Sequence, residues 1–172
     1  MTRLYTIGYE QTDIDNVVAV LKAFEIKVLA DVRAVAASRK KGFSKSALRN
    51  RLEAENIKYM HLVELGDPKP GREAARAQHY ERFRMIYHEH LEQPGPQAAL
   101  RILFEVARNN PTCLLCFEYR PEHCHRSIVA DRLQESGVEE ICNLFGNNPD
   151  NPERHAALFS RNNSGQSASA AE

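Results

Sequence analysis

The chain has 172 residues, 42% hydrophobic and 27% charged, the size and balance of one compact domain rather than two. Lysine plus arginine number 23 and aspartate plus glutamate 23, so no overall charge draws the chain to nucleic acid or an anionic membrane, and no apolar run approaches the roughly 18 residues of a membrane span. Cys113, Cys116, Cys124 and Cys142 are too few for a disulfide-stapled secreted fold, and the N-terminus lacks a secretion signal, so free thiols, a cytoplasmic location and no membrane partner are expected.

A short apolar run, Leu4 to Ile7, stops at Gly8 as a buried strand does before a loop. Asp13 or Asp15 then caps a helix whose stripe is Ile14, Val17, Val18 and Leu21, and a second strand spans Lys27 to Val32. From Arg33 to Arg51 there are seven cationic residues and no acidic one, a local basic patch that the neutral total conceals. Within it, Ser44 can cap a helix through Leu48 and Leu52, which puts Arg39 to Lys41 in the preceding loop.

Ile57 to Val63 reads as a third strand, and Gly66 to Gly71, with two prolines, as an irregular loop. Glu73 to Glu92 reads as one or two helices, ended by Pro94 and Pro96, and about Gln97 to Asn109 as another. Thr112 to Phe117 is a continuous apolar strand, Ser127 to Leu133 opens a last helix ending near Gly137, and Glu139 to Phe145 is the fifth strand. Beyond Asn147 the composition turns to Asn, Pro, Ser, Gly and Ala, so 147–172 is expected as an extension whose last part is disordered.

Strands separated by helices predict an α/β fold. It is a single domain over residues 1–146 with a mainly parallel five-stranded sheet, open, and helices on both faces. In such sheets the site lies outside the carboxyl ends of the strands, here Gly8 to Glu10, Asp31 to Arg33, His61 to Glu64 and Cys116 to Arg126.

Cys116 to Ser127 is the densest run of reactive side chains and joins a strand to a helix. A cysteine there faces unpaired backbone N–H groups and the positive helix end, both of which favour thiolate. Cys116 is favoured by its place at the strand end and Cys124 by its place at the helix N-terminus; Glu118 lies between them, and His125 and Arg126 add positive charge, Arg126 with two parallel hydrogen bonds to offer an anion. A zinc knuckle from Cys113 and Cys116 is disfavoured because strand positions three apart face opposite ways, and adjacent Cys124 and His125 are awkward co-ligands. No metal and no cofactor are therefore expected. Asp31 and Arg33 share one side of the pleat, as an anion clamp or as a structural ion pair, and His61, leading to Glu64, is a proton carrier or a hydrogen-bonded core residue.

The segments Thr6–Glu10, Val28–Arg33, Ser38–Arg39, Gly42–Ser44, Tyr59–Gly66 and Cys116-Phe-Glu118 to Cys124-His-Arg-Ser127, taken in order, resemble the bacterial and archaeal domain-of-unknown-function family 488 over about residues 3–145. The resemblance implies an α/β domain with its shared polar residues gathered at one site; Gly8, Tyr9, Asp31, Arg33, Arg39, His61, Glu64, His125 and Ser127 are the expected substrate-binding residues, beside Cys116, Cys124, Glu118 and Arg126 as the catalytic ones. Many members carry His where this chain has Tyr9, so no imidazole role passes to that position. A more distant likeness is to rhodanese-like sulfurtransferases, through Asp31-Val-Arg33, Cys116 and Arg126-Ser127, although nine residues separate Cys116 from Arg126 here.

The leading expectation is an enzyme using the thiolate of Cys116 or Cys124 with Arg126 and Arg33 on an anionic small molecule, a nucleotide, phosphate or sulfur compound. Alternatives are nucleic-acid or nucleotide binding through Arg33 to Arg51, and a non-catalytic ligand-sensing module. The oligomeric state is open.

Overall fold

The apolar runs and helical stripes resolve into five strands and six α-helices within the described residues, 1–146, of the computed structural model. The expected C-terminal extension lies outside them. β1 (Arg3–Gly8) leads to α1 (Ile14–Ala23), capped by Asp13, whose carboxylate accepts from the Asn16 N–H at 2.8 Å. β2 (Val28–Asp31), α2 (Lys45–Glu53) and β3 (Lys58–His61) follow. Three helices, α3 (Lys69–Arg76), α4 (Tyr80–Leu91) and α5 (Pro94–Asn109), then precede β4 (Thr112–Cys116). Finally α6 (His125–Glu135) connects to β5 (Glu140–Phe145).

Three boundaries differ from expectation, each for a local reason. Lys69 to Gly71 is the first turn of α3 and not loop, since a proline in a first turn lacks only an N–H that the helix does not use. Pro94 likewise opens α5 three residues early. Helix α6 begins at His125, two residues before Ser127, which places Cys124 at the N-cap itself.

The sheet is wholly parallel, in the order β3-β2-β4-β1-β5. Period-two alternation sends Tyr5, Ile7, Leu29, Cys113 and Leu115 to one face, where they pack with Val17, Leu21, Leu48 and Leu52 of α1 and α2. Leu4, Ala30, Leu114 and Cys116 go to the other face, against Phe83, Tyr87, Leu103 and Val129 from α4, α5 and α6. Each fully buried Val, Leu, Ile or Phe among these contributes about 1.5–3 kcal/mol.

This layering fixes where a ligand can sit. The steps β1 to β2 and β2 to β3 run one way along the sheet with α1 and α2 on one face. The steps β3 to β4 and β4 to β5 run the other way with α3 to α6 on the opposite face. All four crossovers therefore share one hand, as parallel sheets require. β1 and β4 are neighbours whose following loops leave in opposite directions, which opens a crevice at their carboxyl ends. None of the helices among the described residues is long and apolar enough to cross a membrane.

Candidate functional site

At that crevice Gly8 stands opposite Cys116 in the β1–β4 register. The loop after β4 folds back over the end of β1: Tyr9 N–H donates to the Cys116 carbonyl at 3.3 Å, Glu10 N–H to the Phe117 carbonyl at 2.9 Å, and Tyr119 N–H to Glu10 Oε2 at 2.8 Å. Only a residue without a side chain allows this, because a Cβ at position 8 would lie 1.8 Å from the Glu118 carbonyl oxygen. Arg126, in the first turn of α6, is 0% exposed. Its Nε donates to Thr6 Oγ1 at 3.3 Å, Nη1 to the Glu118 carbonyl at 2.5 Å and Nη2 to the Tyr119 carbonyl at 3.1 Å. Its hydrogen-bond partners are neutral, and it forms no ion pair with a carboxylate among the described residues.

Beside this buried cation the donor atoms of Cys116, Cys124 and His125 lie within 4.8 Å of one another. Cys116 Sγ is 3.3 Å from Glu118 Oε2 and 3.8 Å from His125 Nδ1. His125 Nε2 is 2.7 Å from the Val32 carbonyl, which can only accept, so Nε2 carries a proton and Nδ1 faces the sulfurs. Burial alone would raise the Cys124 thiol, yet the hydrogen bond from Cys116, the Arg126 charge and His125 hold it well below the usual thiol range. Cys116 moves the other way, held protonated by its bond to Cys124 and by burial. Burial would lower His125, but its bond to Cys124 and the charge there raise it to about 9. Burial and the Cys124 charge bring Glu118 up to about 7.

These groups close one end of a cavity of about 950 Å³, a volume suited to a drug-sized ligand. Cys116, Glu118 and His125 line it, while Cys124, 1% exposed, sits behind Cys116, 4% exposed. Arg39, Arg72, Arg76 and Arg120 supply a cationic wall, and Tyr9, Phe117, Tyr119 and Tyr80 supply aromatic surface. Phe117 is 44% exposed and Tyr80 stacks on His123 with centroids 4.7 Å apart.

The two expected anion clamps, Arg33 in the cavity lining and Arg126 outside it, each hold partners within the protein. Arg33 donates from Nε and Nη2 to the two oxygens of Asp31, at 2.8 and 2.6 Å, and from Nη1 to Tyr9 Oη and the Phe43 carbonyl, both at 2.9 Å. The second Asp31 oxygen also accepts from Tyr59 Oη at 2.6 Å. Asp31–Arg33 is thus the structural ion pair, and it fastens Tyr9, which stacks on Phe43 at 4.1 Å. Arg126 is similarly occupied by the 117–119 loop, so the two parallel bonds expected from it to an anion go to backbone carbonyls instead. Arg39 is exposed at the cavity rim with no ion pair among the described residues.

Other expected residues are placed less centrally. Ser127 Oγ donates to the Cys124 carbonyl at 2.9 Å, in the turn that opens α6. His61 Nε2 donates to the Arg33 carbonyl at 2.8 Å, and Glu64 is exposed with its carbonyl accepting from His90; neither lines the cavity. Of the basic segment, Lys40 Nζ donates to the Tyr9 and Glu10 carbonyls, and Arg51 pairs with Asp15 and Glu55.

Asp67 was hidden in a Gly-Asp-Pro run that reads as a turn. It is buried at the cavity wall, its Oδ1 has no hydrogen-bond partner among the described residues, and a Cβ on Gly71 would lie 2.0 Å from that oxygen. Burial raises its carboxyl to about 6, against the charges of His125 and Arg72. Two signals in the sequence could have revealed this wall: its place after the carboxyl end of β3, and the four-residue spacing of Arg72 and Arg76. The sequence disfavours Cys124 and His125 as joint ligands because they are adjacent, yet their donor atoms meet that of Cys116 here. They converge because Cys124 is extended (φ −127°, ψ 141°) and His125 is the first helical residue. Cys113, as its register demands, packs on the opposite face of the sheet from Cys116.

The profile of the family described as Domain of unknown function DUF488 matches residues 13–133. No curated protein and no solved structure matches the chain, so the rhodanese-like likeness stays without support.

Proposed function

Since the chain belongs to the family described as Domain of unknown function DUF488, which assigns no reaction, we propose the activity from the site: an enzyme in which a cysteine thiolate acts on an anionic, nucleotide-sized substrate. The observation that carries this reading is one cavity with sulfur and imidazole at its end and arginines along its wall. Cys124 supplies the thiolate, at the positive end of α6 and beside Arg126. Cys116 stands between it and the cavity, with Glu118 placed to exchange its proton. Arg39, Arg72, Arg76 and Arg120, in place of Arg33 and Arg126, attract the anion, and exposed Phe117 offers a face on which a base can stack.

Two measurements test it. Limiting iodoacetamide on chelator-treated protein at neutral pH, read by mass spectrometry, should modify Cys116 or Cys124 well ahead of Cys113 and Cys142. Slow, equal labelling of all four overturns the thiolate. A thermal-shift screen of nucleotides against inorganic phosphate should give a nucleotide hit that Arg76→Ala removes. A nucleotide hit without preferential labelling identifies a ligand-sensing module instead.

One observation favours a second reading. Arg39, Lys41, Lys45 and Arg49 are exposed and form no ion pairs among the described residues, and Arg39 reaches the cavity rim. A nucleic-acid strand following these cations could present one nucleotide to the cavity. Fluorescence anisotropy with single- and double-stranded DNA and RNA should then weaken steeply with salt; no binding at micromolar protein removes this reading.

A further inference from the structure

We propose that Cys116, Cys124 and His125 form a binding site for one soft divalent cation of the zinc type, with a fourth position open to the cavity. The three donors come from two elements: the last residue of β4, and the N-cap and first residue of α6. Their atoms lie within 4.8 Å of one another, and Cys116 Sγ is 3.8 Å from His125 Nδ1. A tetrahedral zinc with Zn–S near 2.3 Å and Zn–N near 2.0–2.1 Å needs donor separations of roughly 3.4–3.8 Å, so the triplet closes on an ion by small side-chain adjustments.

The surroundings fit a ligand set. The bond from His125 Nε2 to the Val32 carbonyl is the outer contact that orients a metal-bound imidazole, and it leaves Nδ1 as the ligand. Glu118 reaches Cys116 from the same side as the cavity. Binding an ion displaces the proton that Cys116 carries in the metal-free site and the one on His125 Nδ1; the two thiolates then neutralise the dication. Sulfur and imidazole donors select zinc, cobalt or copper over magnesium or calcium. Cys116 and His125 line the cavity and Cys124 backs them, so the position left free faces the substrate space. Three protein ligands with one open position is the pattern of a site that binds water or substrate, not of a closed structural site.

The inference rests on the thiolate reading above and changes what the thiolate does: loaded with metal, it holds the ion. The full chain, stripped with chelator and kept reduced, is titrated with Co(II). One cobalt per chain is expected, with thiolate-to-cobalt charge-transfer absorption and a tetrahedral visible spectrum, both abolished by an equivalent of Zn(II). Cys116→Ser, Cys124→Ser and His125→Gln should each lose the charge-transfer band or its tetrahedral form, and Cys142→Ser should keep both. Should a ligand variant fail to fold, mapping on the unmodified chain decides: Zn(II) should protect Cys116 and Cys124 from iodoacetamide and leave Cys142 unchanged. Absence of the band, or protection that ignores Cys124, overturns the metal site. Rapid labelling of Cys124 without cobalt binding leaves the thiolate reading standing alone. Cobalt binding without rapid labelling in the metal-free chain removes the attacking thiolate and keeps the ion.

Discussion

Gly8 and Cys116 face each other across the β1–β4 register, and the Glu118 carbonyl passes over Gly8 so closely that the end of one strand forms the bed for the reactive loop of the other. Gly8→Ala should therefore act on the site through the backbone. The new Cβ meets a carbonyl 1.8 Å away, so the loop must lift, at a cost of roughly 1–3 kcal/mol. Gly95→Ala is the control, since its Cβ would meet only Glu64 Cγ, at 3.8 Å in ordinary contact. Urea midpoints should fall for the first variant and stay or rise slightly for the second.

Arg126 has two separable roles, as a fork that ties the 117–119 loop to Thr6 and as the charge beside Cys124. Arg126→Met removes both, leaving carbonyls without their donor at a cost of about 1–3 kcal/mol and slowing alkylation of Cys124. Arg126→Lys keeps the charge and loses the fork. It should restore much of the labelling rate while remaining less stable than the parent in urea. Equal labelling rates in all three proteins would contradict an electrostatic role.

Asp31→Ala strands the Arg33 guanidinium in the core, where breaking a buried pair costs about 3–5 kcal/mol. Tyr59→Phe deletes one hydrogen bond to the same carboxylate and should cost only about 1 kcal/mol. Denaturant unfolding of the two variants should rank them in that order. Similar losses would mean that the pair is more solvated than its geometry shows.

Asp67 predicts a pH dependence of definite sign. Its carboxyl is raised to about 6 in the folded chain, so folding favours its protonated form. That stability is fully present below the ordinary aspartate range and is lost as pH rises through about 6, on the order of 2–3 kcal/mol. Asp67→Asn cannot ionise, so its advantage over the parent should grow between pH 4 and pH 6 and level off above pH 7. Urea unfolding of both proteins across that range reads the difference directly. A difference that does not change with pH would show that Asp67 ionises normally.

What the sequence determined by itself was the local layer. Short apolar runs placed the five strands near their observed bounds, and 3.6-residue stripes alternating with them placed most of the helices, because burial is written into neighbouring residues. The parallel sheet and the carboxyl-end location of Cys116, Cys124 and Gly8 followed from that alternation. Only the tertiary structure decided which charged ends remain free. Arg33 and Arg126 read as anion clamps, but Tyr9, Phe43 and Thr6, brought from elsewhere in the chain, accept hydrogen bonds from them. Arg39, Arg72, Arg76 and Arg120 also line the cavity, Arg72 bonded to the Asp67 carbonyl and Arg120 3.9 Å from Glu122. The same applies to the sulfurs: nothing in the order Cys116, Cys124, His125 shows that an extended N-cap swings the last two toward the first, since hydrogen-bond partners and donor distances are properties of packed elements rather than of spacing along the chain.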